Sequence, residues 1–145
     1  FVGLEDDADK LPEELSIGMR RRLEIARALI GWPRVMLFDE PTSGLDPLNA
    51  RRILDLLIRA RDVHGITSII VTKEMYEIPY LANHIAVGDG AGDVTVVERA
   101  PGTPPRAQVI LLKAGRVEYH GDVETFFRSH LPAVVEMTGT EDDDS

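Results

Sequence analysis

Cysteine is absent from the 145 residues, so the chain has no disulfide framework and no thiolate for catalysis or metal binding. Long apolar runs are absent too, and none approaches the roughly 20 residues that a membrane-spanning helix requires. No secretory signal is visible, and the chain begins with Phe1 rather than methionine, which we interpret as the start of a segment or of a processed protein. These absences favour an ordinary globular domain with one hydrophobic core.

Basic residues are outnumbered, because 16 Lys and Arg stand against 25 Asp and Glu and give a net charge of −9. A protein that binds nucleic acid through its phosphates normally presents a basic surface, so this charge argues against nucleic acid as a partner. It does not argue against association with a membrane through another protein. The hydrophobic fraction of 43% is ordinary for a globular domain.

A first helix is predicted to begin after Ser16, which is a typical N-cap residue, and to end near Gly31 and Pro33. Residues 1–15 are interpreted as a helix end followed by a loop. Apolar residues recur through the predicted helix at helical spacing, and we expect them to form its buried stripe. The members of this stripe are Met19, Leu23, Ala26 and Ile30.

Two short apolar runs, Val35–Phe38 and Thr67–Val71, predict buried strands on either side of a second helix. Asp46 is the expected N-cap of that helix, Pro47 its first residue and Gly65 its C-cap. The apolar face of the helix is predicted to consist of Ile53, Leu54, Leu57 and Ile58. A strand, a helix and a strand in this order predict an α/β fold with parallel strands and right-handed crossovers.

The second half of the chain has a different pattern. A short helix is predicted to end near Asn83, and residues 88–107 are rich in Gly and Pro around one β-prone run, so we interpret them as an insertion. The runs Val109–Lys113 and Arg116–His120 flank Ala114-Gly115 and predict a hairpin.

Two carboxylates, Asp39 and Glu40, follow the first apolar run. The carboxyl end of a buried parallel strand faces the ligand crevice of an open α/β sheet. Adjacent side chains in a strand diverge, so one carboxylate can hold Mg²⁺ through water while the other orients and deprotonates an attacking water. A solvated strand end with two acids is the alternative, and these two residues alone leave both interpretations open.

Ser16 offers a second chemical feature, since a helix N-terminus with a hydroxyl and free N–H groups is an anion site. Leu15–Met19, Val35–Pro41 and Thr42–Asp46 together resemble the signature, Walker B and D-loop motifs of the ATP-binding-cassette (ABC) ATPases. The resemblance implies an α/β fold that is the C-terminal part of a P-loop NTPase domain, with a C-terminal β-hairpin region.

The resemblance also implies a role for each matching residue. Asp39 corresponds to the Walker B aspartate near Mg²⁺, and Glu40 corresponds to the catalytic glutamate that polarises the water. Ser16, Ile17, Gly18 and Met19 correspond to the signature residues, which contact ATP held by the opposite subunit. Asp46 corresponds to the D-loop aspartate at the dimer interface. The implied cofactors are ATP and Mg²⁺, and such a split site suits phosphoryl transfer, which needs mainly positioning and charge stabilisation.

Three positions depart from the family pattern. Ile17 stands where glycine is usual, and its branched side chain either hinders a phosphate or packs elsewhere. Met19 replaces the commonest glutamine. Lys73 stands at the position of the switch histidine, where it can neutralise phosphate charge but lacks the acceptor nitrogen of imidazole. Hydrolysis is therefore expected to be slowed or to take place mainly at the other site of an asymmetric pair, unless Lys73 is a solvated loop residue.

The phosphate-cradling motif Gly-x-x-x-x-Gly-Lys-Ser/Thr does not occur in the sequence. Its place in the family lies upstream of Phe1, so we expect roughly the first half of the domain to be missing and the chain alone to bind ATP negligibly. The resemblance implies one partial nucleotide-binding domain. Its expected parts are the end of the helical subdomain (1–31), the Walker B, D-loop and switch region (32–87), the insertion (88–107), the hairpin with a last helix (108–138) and a disordered acidic tail (139–145).

The implied partners are a second nucleotide-binding subunit, in a head-to-tail dimer, and a membrane-spanning permease on whose cytoplasmic side the protein would lie. Three functions stay open: an energising transporter subunit, a degenerate regulatory subunit that does not hydrolyse ATP, and an ABC ATPase outside transport. Arginines after Met19 resemble those of the bacterial Mla/Mce-type lipid transporters, a weaker signal than the family motifs.

Overall fold

Residues 1–138 are described by the structure, a computed structural model, and they divide into two compact units of mixed α/β structure. The first unit comprises residues 1–73 and 84–98, and the second comprises residues 74–83 and 99–138. The predicted acidic tail lies outside the described residues. No helix of the described part is long and apolar enough to cross a membrane.

The first unit opens with two single-turn 3₁₀ helices, Glu5–Asp7 and Pro12–Glu14, in place of the predicted helix end and loop. Helix α1 (Ile17–Leu29) follows, and its predicted N-cap is confirmed, because the Ser16 hydroxyl oxygen accepts a hydrogen bond from the Met19 N–H at 3.2 Å. A hydroxyl acceptor at this position satisfies one of the amides that the first turn leaves unpaired.

The predicted buried stripe of α1 is wrong. Gly18 and Ile25 are the buried residues of this helix, whereas Leu23 is 39% exposed and Ile30 is 77% exposed. Residues seven apart also share a helix face, so the sequence contained two overlapping stripes. The buried stripe includes Gly18, and a residue with no side chain adds nothing to a hydrophobic pattern. The hydrophobic pattern therefore favoured the stripe that begins at Met19.

The predicted strand–helix–strand order is confirmed. Strand β1 (Val35–Asp39) and strand β2 (Thr67–Val71) pair in parallel, with Val35 opposite Thr67 and Asp39 opposite Val71, and helix α2 (Pro47–His64) connects them. The predicted caps of α2 are confirmed as well. The Asp46 carboxylate accepts hydrogen bonds from two first-turn amides, and Gly65 ends the helix at φ 65°. The buried residues of α2 are Ala50, Ile53, Leu54, Leu56, Leu57, Ile58 and Ala60, which include the whole predicted face.

The apolar sequences of the two parallel strands predicted burial on both faces, but the structure buries only one face. Met36 is buried with Ala60 of α2 and Ile66, but Leu37 on the opposite face of β1 is 76% exposed. Ile69 of β2, the partner of Leu37 in the register, is exposed too. A sequence rich in apolar residues on both faces is typical of a strand covered on both faces, but the described residues cover only one.

Strand β3 (His84–Gly88) was not predicted, and it pairs antiparallel with β4 (Val94–Glu98), which contains the predicted β-prone run. The pair is fastened to α2 by two side chains. Asp62 accepts a hydrogen bond from the Ala86 N–H at 2.9 Å, and Arg61 donates to the His84 carbonyl oxygen at 2.7 Å. Residues 88–107, the stretch interpreted as an insertion, therefore include the turn and the second strand of this hairpin. Their role as an insertion stays a prediction.

The second unit comprises helix α3 (Glu77–Asn83), strands β5 (Gln108–Lys113) and β6 (Arg116–Asp122), and helices α4 (Val123–Arg128) and α5 (Pro132–Thr138). The predicted hairpin is confirmed, and its turn has φ 48° at Ala114 and φ 74° at Gly115, the pattern of a type I′ turn. The core of this unit is formed by Ala82, Val109, Leu111, Val123, Phe126, Ala133 and Val134.

Gly65 allows a direct test of the α2 end. A side chain is strained at φ 65°, so Gly65→Ala is expected to lower the free energy of unfolding by about 1 kcal/mol. Gly31→Ala is the matched control, because its new Cβ would meet no atom within 4 Å and its backbone is not left-handed. The free energies come from urea unfolding followed by circular dichroism, and equal values for the two variants would contradict the assigned cap.

Candidate functional site

Glu40 occupies an unusual backbone position at the end of β1. Its φ of 43° is in the left-handed region, which a residue with a side chain rarely adopts, and its N–H donates to the Val71 carbonyl oxygen at 2.8 Å. Its own carbonyl oxygen accepts from the Ser43 N–H at 3.1 Å. The hydrogen bond to β2 therefore holds Glu40 at the sheet edge while the chain turns away, and strain of about 1–3 kcal/mol at such a residue is typical of a functional position.

The Glu40 carboxylate forms an ion pair with Lys73, with 2.9 Å between Oε2 and Nζ. The hydrogen bond from Lys73 is the main reason that the pKa of Glu40 lies below its ordinary value, and Ser43 adds a smaller effect in the same direction. A general base works best when its pKa lies near the working pH, so this pairing weakens Glu40 as a base. The structure thus brings together the two residues predicted to be catalytic, but in an arrangement that occupies both charges.

Asp39, the predicted Mg²⁺ residue, is the last residue of β1 and is exposed. No group of three or more His, Asp or Glu side chains that could hold a metal is found among residues 1–138. A lone exposed carboxylate fits Mg²⁺ only as a weak ligand that acts through water or shares the ion with phosphates. The described residues therefore fit the implied ion at one ligand position and do not form a complete metal site.

The N-terminus of α1 is the predicted anion site. Helix geometry leaves the N–H groups of Ile17 and Gly18 without intrahelical acceptors, and Ser16 beside them is exposed. Ile17 is 54% exposed, so its side chain is not part of the core of this chain, and Met19 is half-buried. These features agree with an exposed anion site, whereas the role of Ile17 stays a prediction.

Asp46 is the N-cap residue of α2, and three hydrogen bonds hold its carboxylate. Its Oδ1 accepts from the N–H groups of Leu48 and Asn49, both at 3.1 Å, and its Oδ2 accepts from the Asn49 side-chain amide at 2.5 Å. These bonds, the one from the Asn49 side chain first, lower the pKa of Asp46. Asn49 is absent from the predicted site residues, although a residue three positions after an N-cap lies within reach of the cap side chain on the first helical turn.

Parts of this chain are similar to known proteins. Residues 1–43 match the model of the ABC transporter family. The chain is 47% identical over 87 residues to the methionine import ATP-binding protein MetN 1 of Staphylococcus aureus strain MSSA476, and 46% identical over 87 residues to that of strain USA300. Over the matched residues the chain is similar to ABC transporter ATP-binding proteins. The alignments with both relatives cover 60% of this chain and 26% of the relative.

Solved structures of ABC proteins share the fold. CbiO1 of Clostridium perfringens, part of the ABC transporter complex CbiONQ, matches 96% of this chain and 49% of its own, with 26% identity and a TM-score of 0.65. An inward-facing metal-chelate-type ABC transporter matches 67% of this chain and 38% of its own, with 29% identity and a TM-score of 0.54. The predicted α/β fold of a P-loop NTPase is thereby confirmed. None of these ABC relatives is of the Mla/Mce type, so that expectation gains no support.

The ion pair between Glu40 and Lys73 predicts that substitution of Lys73 changes the titration of the Glu40 carboxyl. Lys73→Ala removes the main cause of the lowered pKa, so the pKa of the Glu40 carboxyl is expected to rise toward its ordinary value. Stabilisation from the pair is present above the ordinary carboxyl pKa and is lost as the pH falls through the lowered value, because protonation removes the charge. Carboxyl ¹³C NMR measures the titration.

The matched control is Lys113→Ala, which breaks the separate ion pair between Lys113 and Glu136 in the second unit. This variant should raise the pKa of Glu136 and leave Glu40 unchanged. If Glu40 titrates alike in the presence and absence of Lys73, the ion pair does not exist in solution.

Proposed function

We propose that this chain is the water-activating and trans-acting part of an ATP-binding subunit that hydrolyses ATP and energises an ABC transporter. The observation that carries the proposal is Glu40, held at the carboxyl end of β1 by its hydrogen bond to β2, in a chain that is similar to ABC transporter ATP-binding proteins. The chain spans about a quarter of the MetN 1 relatives, so activity, substrate and partners of the whole protein are part of the proposal.

Each residue has a defined task in this proposal. Glu40 orients a water and accepts its proton, and Asp39 faces Mg²⁺ through water. Ser16 and the amides of Ile17 and Gly18 bind the terminal phosphate of ATP held by a second subunit, with Met19 supporting the turn. Asp46 lies at the contact with that subunit. Bound Mg-ATP supplies the phosphate bond that is hydrolysed, and the residues of this chain supply position, a proton acceptor and hydrogen-bond donors.

The partners follow from the same proposal. A site divided between two chains requires a second nucleotide-binding subunit in a head-to-tail arrangement. Use of the energy for transport requires a membrane-spanning permease, which would place the subunit on the cytoplasmic face of the membrane. The net charge of −9 supports protein partners rather than nucleic acid. The names of the similar proteins indicate different substrates, methionine for MetN 1 and a metal chelate for the inward-facing transporter, so no substrate is proposed here.

A regulatory subunit with little hydrolysis is the second candidate. The specific observation in its favour is the Lys73 ammonium at 2.9 Å from the Glu40 carboxylate, because a paired carboxylate of lowered pKa is a poor proton acceptor. In this alternative the subunit still binds ATP and closes against its partner, whereas the partner's site carries the hydrolysis.

Substitutions at these two residues in the intact subunit separate the candidates. Glu40→Gln removes the proton acceptor and is expected to lower kcat by about 10²-fold or more if the subunit hydrolyses ATP. Lys73→His is expected to raise kcat, because it frees Glu40 and adds an acceptor nitrogen. Phosphate release is the measurement. Hydrolysis that is unaffected by Glu40→Gln would refute the proposed function, and a wild-type rate at background level that Lys73→His does not raise would favour the regulatory subunit.

Nucleotide binding by the 145 residues alone is a further test. The sequence contains no phosphate-cradling loop, so isothermal titration should detect no Mg-ATP binding tighter than about 1 mM, the weak end of ordinary substrate affinities. The intact subunit, titrated under the same conditions, is the positive control. Tight binding by the short chain would show that residues 1–145 contain a nucleotide site of their own.

A further inference from the structure

Asn49 packs directly against the signature segment. Gly18 in the first turn of α1 is buried, and a Cβ added there would lie 3.0 Å from both Cγ and Oδ1 of Asn49 and 3.3 Å from its Cβ. Distances this short are tighter than most real Cβ contacts, so a methyl group here would require the Asn49 side chain to give way by a few tenths of an ångström, and the side-chain amide of Asn49 lies against the bare Cα of Gly18. The glycine at this position therefore has a packing role within the chain, in addition to any contact with a phosphate.

Asn49 also holds the D-loop carboxylate. Its side-chain N–H donates to Asp46 Oδ2 at 2.5 Å, and its backbone N–H donates to Asp46 Oδ1 at 3.1 Å. Both carboxylate oxygens are thus engaged by one residue, and Leu48 adds a third bond. A side-chain amide suits both neighbours, because it donates to the carboxylate and presents a flat, uncharged face to the glycine.

We propose that Asn49 is a positioning residue that locks the N-terminus of α1 and Asp46 into one rigid unit, an inference that rests on the proposed function. Ser16 and Asp46 lie on separate elements, and both are assigned to the face that meets a second subunit. Their mutual position must be fixed before that subunit arrives, because displacement by about 1 Å at such a site can lower a rate by about 10²-fold. Asn49 contacts both elements, at Gly18 and at Asp46.

The competing explanation is a local cap, in which Asn49 stabilises only the first turn of α2. Hydrogen exchange on the nucleotide-free intact subunit separates the two. If Asn49 joins the elements, Asn49→Ala should raise amide exchange several-fold in residues 16–20 as well as in residues 44–50. Faster exchange confined to residues 44–50 would overturn the proposal. Arg52→Ala is the control, since Arg52 is an exposed residue of the same helix and should change neither segment.

A double-substitution cycle tests the contact itself through ATP hydrolysis. Gly18→Ala should lower kcat strongly by colliding with Asn49, and Asn49→Ala should lower kcat about tenfold with a smaller change in KM. The double variant removes two of the three atoms that the new methyl group would meet, so its kcat should exceed that of Gly18→Ala alone. A double variant no faster than Gly18→Ala would show that the glycine acts only on the phosphate, and would overturn the proposal.

Glu40→Gln, measured in parallel, distinguishes this inference from the proposed function. Hydrolysis that depends on Glu40 but is unchanged by Asn49→Ala would overturn the positioning role and leave the proposed function intact. Hydrolysis that does not depend on Glu40 would overturn both. Asn49→Asp adds a check on chemistry, because it keeps the shape against Gly18 but replaces the donor with a second carboxylate near Asp46. The kcat of Asn49→Asp should therefore be no higher than that of Asn49→Ala.

Discussion

The parallel pairing of β1 with β2 determines where the chemically important residues of the first unit lie. Because both strands end at the same edge of the sheet, the residues that follow them leave from neighbouring points, and Glu40 and Lys73 meet there as an ion pair. The hydrogen bond from the Glu40 N–H to Val71 extends the pairing by one residue past β1. Helix α2 packs on the sheet and has Asp46 as its N-cap. The same helix therefore positions both the strands and Asp46.

Two carboxylates of this unit illustrate how surroundings assign different tasks to the same group. Glu40 is balanced by the ammonium group of an exposed lysine, Lys73, whereas Asp46 is bonded by backbone and side-chain amides that belong to a helix end. Hydrogen bonding lowers the pKa of both, but the largest effect on Glu40 comes from the side chain of Lys73, whereas the effects on Asp46 come from side-chain and backbone amides of one helix end. The first arrangement is suited to chemistry that switches, and the second to a fixed surface.

Local signals predicted much of the first unit. Ser16, Asp46 and Gly65 were correctly identified as helix caps because each acts through its own backbone neighbours, and the β1–α2–β2 order follows from run lengths. These local signals failed where the burial or pairing of a residue depends on a partner that is distant in sequence. The buried stripe of α1 depends on Gly18 meeting Asn49, and β3 depends on pairing with β4. Glu40 was identified as a site residue from its motif, but its left-handed backbone and its ion pair with Lys73 could be seen only in the three-dimensional structure.

The one-sided burial of β1 and β2 affects how the chain behaves in solution. Leu37 and Ile69 lie side by side on the uncovered face, and within the described residues each strand has one neighbour, so its other edge has unpaired backbone groups. An apolar face that adjoins open strand edges promotes self-association by strand addition. Residues 1–145 are therefore expected to self-associate as their concentration rises.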